Sequence, residues 1–152
     1  DSLKTNDSPF TPAVGLVRGL AKSLARLRSE GLETCWARCA QLARMARAGL
    51  TAVGLQLFAK SPAEVMTVAC VPEGLDGNAL LNHLEAWYGV KLAGGQDSLK
   101  GKILRLAHMG YIDAFDILAV LSALEMTLAR MGWPVSPGTA VAAAQHVFQH
   151  TP

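Results

Sequence analysis

In the segment GGQDSLKGKILRLAHMG, residues 94–110, a glycine pair, Gly94 and Gly95, is followed by three cations, Lys100, Lys102 and Arg105. Ile103 to Ala107 reads as a short apolar strand with Arg105 at its middle. A buried guanidinium is costly unless an anion meets it. Its planar fork of donors suits the paired oxygens of a carboxylate or a phosphate. Side chains alternate along a strand, so Arg105 shares a face with Ile103 and Ala107 while Leu104 and Leu106 face the core. Two readings are open. In one, the strand is at a sheet edge, and Arg105 snorkels to solvent or pairs with a surface acid. In the other, Arg105 points into a cleft that His108 and the glycine loop also line. A glycine pair fits a plain turn, and it also permits backbone to approach a ligand closely.

Little else in the chain carries chemistry. No Gly-rich phosphate loop, G-x-G-x-x-G or G-x-S-x-G is present. His146 and His150 are four apart, a spacing that suits a metal, but no Cys, Asp or Glu lies near them. A helix-end role is therefore expected, and no metal site. His83 reads as a surface residue. Cys35, Cys39 and Cys70 form no C-x-x-C and read as reduced structural thiols, which points to an intracellular, cytoplasmic protein.

The elements that must position Arg105 follow from periodicity and punctuation. Residues 1–10 are polar and read as a linker or arm. Val14, Leu16, Val17, Leu20, Leu24 and Leu27 recur at helical spacing, with Thr11 able to cap, Pro12 suited to the first helical position and Gly31 to the exit. A second helix fits residues 32–54, with Leu32, Trp36, Cys39, Leu42 and Ala46 or Met45 as its stripe. LQLFAK is expected as a strand, and VMTVACVP, residues 65–72, as a strand buried on both faces. Asp76 could cap a third helix that Gly89 ends. VKLAGG and KILRLAH are expected as strands, and Asp113 opens a long helix before a last one through SPGTAVAAAQHVFQH. The order is αα-β-β-α-β-β-αα. Strict alternation is missing, so an α+β domain with a small mixed or mainly antiparallel sheet is expected, rather than a doubly wound one.

The totals agree with one globular domain of 152 residues, 51% hydrophobic and 17% charged. A net charge of +2 is too small to imply nucleic acid. Residues 1–50 hold eight Lys/Arg against four Asp/Glu, which fits solvated helix faces. Residues 133–152 carry no charged side chain but contain Pro134, Pro137 and polar residues, so no membrane span is expected.

Taken in order, FTPAVGLVRGL, EGLETCWARCAQLARMARAGLTAVGLQLFA and the long segment from VMTVACVPEGL to LARMG resemble the C-terminal small domain of class V, fold-type I aminotransferases. These enzymes use pyridoxal phosphate (PLP), and the alanine/serine–glyoxylate branch is the most similar. GKILRLAHMG after a GGQ loop is the best single match. The resemblance implies that Arg105 binds the α-carboxylate of an amino-acid or 2-oxo-acid substrate, with Gly94 and Gly95 close by. It implies that Thr11 contacts the cofactor phosphate in the partner subunit of a homodimer. It implies amino transfer from alanine or serine to a 2-oxo acid such as glyoxylate. In this family PLP is held on a lysine of a large domain. None of the six lysines here sits in such a segment, so residues 11–152 are expected to be the small domain, inactive without its large partner. The alternative is a stand-alone, non-catalytic α+β module that binds small anions or assembles with itself.

Overall fold

The computed structural model describes Lys4 and residues 10–150. The expected linker, residues 1–10, lies outside the described residues except for Lys4 and Phe10. The chain divides into two compact units, residues 1–36 and 37–152.

The first unit holds helix α1, Val14–Glu30, and the opening turn of helix α2, Leu32–Ala52. Thr11 does not cap α1: the N-cap position is Ala13, with no side-chain hydrogen bond. Pro12 therefore lies before the first turn instead of in it. Gly31 ends the helix with φ 89, as its lack of a Cβ allows. The periodic stripe is present, but α1 buries no residue. Leu32 and Trp36, expected in the stripe of α2, are likewise exposed.

The second unit contains the core. Cys39, Leu42, Met45, Ala46 and Leu50 form the buried face of α2. Helix α3, Gly77–Tyr88, starts where Asp76 accepts from the N–H groups of Asn78 and Ala79 at 2.8 and 3.2 Å. It ends at Gly89 in the left-handed conformation. Helix α4, Ala114–Arg130, opens with a reciprocal box: Asp113 caps Asp116, and the Asp116 side chain accepts from the Asp113 N–H at 2.9 Å. Ile117, Leu121, Leu124 and Leu128 form its buried stripe. Helix α5, Thr139–His150, buries Ala140 and Ala144. Gly49 lets three helices converge, because a Cβ there would come 2.8 Å from the Leu121 Cδ2 and 3.1 Å from the Ala140 carbonyl oxygen.

The sheet has three strands, β1 (Met66–Cys70), β2 (Ala93–Gly94) and β3 (Ile103–Ala107), in the order β1-β3-β2. Both pairings are antiparallel. The segment LQLFAK is not a full strand. It adds to β1 through one bridge, Leu57 to Ala69, and two backbone hydrogen bonds. VKLAGG shrinks to two paired residues, because it turns away at Gly95. Thr67 and Ala69 are buried while Met66, Val68 and Cys70 are half-buried, so β1 has one core face and not two.

Candidate functional site: a half-buried arginine on the central strand

The edge-strand reading of Arg105 fails on topology. β3 is the central strand, with Val68 opposite Arg105 on one side and Ala93 on the other. The predicted alternation holds. Leu104 and Leu106 are buried, 0% and 6% exposed, and Arg105 is half-buried on the opposite face. Ile103, on the Arg105 face, is buried as well.

The Arg105 Nε donates to the carbonyl oxygen of Gly94 at 2.8 Å. No acid pairs with the guanidinium among the described residues, and neither Nη nitrogen has a hydrogen-bond partner among them. The glycine pair is thus brought directly to the arginine. Neither glycine has positive φ; Gly95 is needed for space, while at Gly94 only the flexible end of a leucine stands in the way. A Cβ on Gly94 would come 2.9 Å from the Leu81 Cδ1, and one on Gly95 would collide with the Leu99 carbonyl. Lys100 and Lys102 are exposed.

His108 does not line this cleft. It has the parity of Leu104 and Leu106, faces the core and is fully buried. Its Nδ1–H donates to the Glu64 carbonyl at 3.3 Å, while Nε2 is buried with no partner. Burial holds the imidazole below its ordinary pKa, and the nearby Arg47 cation adds to the effect. Arg47 in turn fastens the preceding loop, donating to the Ala63 carbonyl at 2.9 Å and pairing with the Glu64 carboxylate at 3.3 Å.

Thr11 is exposed in the first unit. His83 is half-buried and stacks on Trp87 at 4.1 Å, and the Arg130 guanidinium lies 3.9 Å from the centre of the same indole. The His146 and His150 rings stack at 4.3 Å, with the His150 Nδ1 2.8 Å from the His146 carbonyl oxygen. Among the described residues no three His, Cys, Asp or Glu side chains gather as metal ligands. Glu125 is a buried structural carboxylate that the sequence pattern did not reveal. It is 4% exposed and accepts from the N–H groups of Gly138 and Ala140 at 2.7 and 2.8 Å, thereby capping α5. A lone acid four residues after Leu121, on the apolar stripe of α4, was the available signal.

All six lysines are exposed or lie outside any buried setting, whereas a lysine that holds the cofactor needs a shielded amine of lowered pKa. What the geometry provides is a guanidinium edge without a partner among the described residues, the kind of fork that can meet a planar anion with two oxygens.

No family model matches the chain. Curated relatives do. Over 93% of this chain, it is 39% identical to a protein of Synechococcus sp. named as the small subunit of a soluble hydrogenase. Over 96%, it is 36% identical to the L-aspartate–glyoxylate aminotransferase of Paracoccus denitrificans. The crystal structure of the pyridoxamine–pyruvate aminotransferase of Mesorhizobium loti superposes on 95% of the chain with a TM-score of 0.89 and 34% identity. The chain carries the small-domain fold of the class V aminotransferases. This small domain spans only 37–38% of the length of those three proteins. The α+β expectation is met, with a sheet that is antiparallel throughout.

Proposed function

We propose that this small domain supplies the substrate-carboxylate arginine, Arg105, of a PLP-dependent aminotransferase. The enzyme would move an amino group from a small amino acid, alanine or serine, to a 2-oxo acid such as glyoxylate. One observation carries the reading: Arg105 is half-buried on the central strand with its Nη edge unpaired among the described residues. Every amino-acid donor and every 2-oxo-acid acceptor carries a carboxylate beside the reacting carbon. A bidentate clamp on that carboxylate fixes the orientation of the reacting carbon and converts binding energy into alignment. PLP, when bound by the enzyme, supplies the electron sink for the reaction. It would be held mainly by the part of the protein beyond this chain, with Thr11 reaching the cofactor phosphate across a dimer. No helix among the described residues is long and apolar enough to cross a membrane, and a cytoplasmic enzyme fits the reduced cysteines.

The test uses the full-length enzyme that contains this chain. Arg105→Ala should raise KM for donor and acceptor alike by about 100-fold, the scale expected for a lost charge-assisted pair. The absorbance of bound PLP should be retained. An unchanged KM for both substrates would sink the assignment.

A further inference from the structure

The bond from the Arg105 Nε to the Gly94 carbonyl does more than satisfy one donor. A guanidinium can meet a carboxylate along a side edge, formed by Nε and one Nη, or along its end edge, formed by both Nη groups. At 2.8 Å the Gly94 oxygen takes the Nε–H and closes the side edge. The same bond limits rotation about the last bonds of the side chain. Only the end edge remains, and it has no partner among the described residues.

The loop that delivers this carbonyl is built under constraint. β2 ends at Gly94, and the chain folds back at once through a 3₁₀ turn, Asp97–Leu99. The turn approaches Gly95 so closely that a Cβ there would collide with the Leu99 carbonyl. Asp97 has φ 48, the left-handed region that a non-glycine residue enters at a cost. The loop closes with hydrogen bonds from the Leu99 N–H to the Gln96 carbonyl at 2.9 Å and from the Lys102 N–H to the Leu99 carbonyl at 3.0 Å. Lys102 leads straight into β3, so the loop is continuous with the strand that carries the arginine.

We propose that the Gly94 carbonyl is a positioning group, held by the Gly95–Leu99 turn, which commits Arg105 to end-on binding of a carboxylate. The proposal rests on the reading of Arg105 as the carboxylate clamp. It gives the glycine pair a different task from contact with substrate: the pair serves the arginine, and the arginine serves the substrate.

Two measurements test it. In solution NMR of this chain, a hydrogen-bond scalar coupling should connect the Arg105 Nε to the Gly94 carbonyl carbon, and the Hε proton should exchange slowly. Absence of the coupling with fast exchange overturns the proposal. In the full-length enzyme, glycolic acid in place of Gly95 turns the Gly94 carbonyl into a weaker ester acceptor without adding an atom to collide with Leu99. KM for donor and acceptor should then rise together by about 10-fold, the scale of one lost hydrogen bond, with kcat nearly unchanged. Gly95→Ala should act in the same direction, and the ester variant decides if Gly95→Ala does not fold. If Arg105→Ala raises KM while the ester variant leaves it unchanged, the positioning role is overturned and the clamp stands. If Arg105→Ala itself leaves KM unchanged, both fall.

Discussion

Arg105 on β3 and His108 just past its end lie three residues apart and meet opposite fates, because the alternation of the strand sends them to opposite faces. Arg105 keeps an open edge, while His108 is fully buried with one ring nitrogen unpaired. An imidazole ordinarily titrates near 6.5, and burial lowers His108 below that value in the fold. As pH falls, the unfolded chain therefore takes up this proton before the folded one does. The stability that His108 contributes is complete above 6.5 and is lost as pH falls from there through the lower folded value. Chemical denaturation at a series of pH values from 8 to 5 should show the midpoint falling in the acid range. His108→Gln, which cannot protonate there, should flatten that fall. A slope unaltered by the substitution would assign it to other groups.

At the scale of elements, caps read true where a side chain makes them and false where none does. Asp76 and Asp113 cap α3 and α4 as their spacing predicts. Thr11 does not cap α1, which starts two residues later than Pro12 suggests. The cap on α5 comes from another helix, so no local pattern in SPGTAV reveals it. Glu125 offers its carboxylate to two N–H groups of that helix end. Glu125→Ala would strand the buried Ala140 donor and free the part-buried Gly138 donor to water, and should cost about 1–3 kcal/mol. Urea denaturation would measure it, and a loss under 0.5 kcal/mol would mean that water replaces the carboxylate freely. The strands show the same limit. The alternation in ILRLA gives the correct faces for Leu104, Arg105 and Leu106, because pleat geometry is local. The place of β3 at the sheet centre was not legible, since neighbours are chosen by pairing over long stretches of chain. LQLFAK and VKLAGG had strand composition, but each pairs over only one or two positions. For the site, the arginine and the glycine pair were visible in the sequence; the hydrogen bond joining them was not.

At the scale of the whole molecule, the hydrophobic core belongs to the second unit, from Leu42 to Ala144. α1 contributes nothing to it. Deleting residues 1–36 should leave the melting temperature of the remainder within about 3 °C, since a change below 1 kcal/mol moves a domain of this size little. A drop of 10 °C or more in a thermal scan would show that the first unit supports the core. The central position of β3 has one more consequence, and it concerns time. β3 can settle only after it returns from beyond α3 to pair with β1, and closures between distant segments are the slow steps of folding. Helices form from local contacts and need no such return. In a refolding time course the helical signal should therefore recover before the amides of β3 become protected from exchange. Simultaneous recovery would contradict this order. A newly folding chain would thus hold nearly all of its helix while Arg105, the arginine proposed to hold a carboxylate, still had no fixed direction.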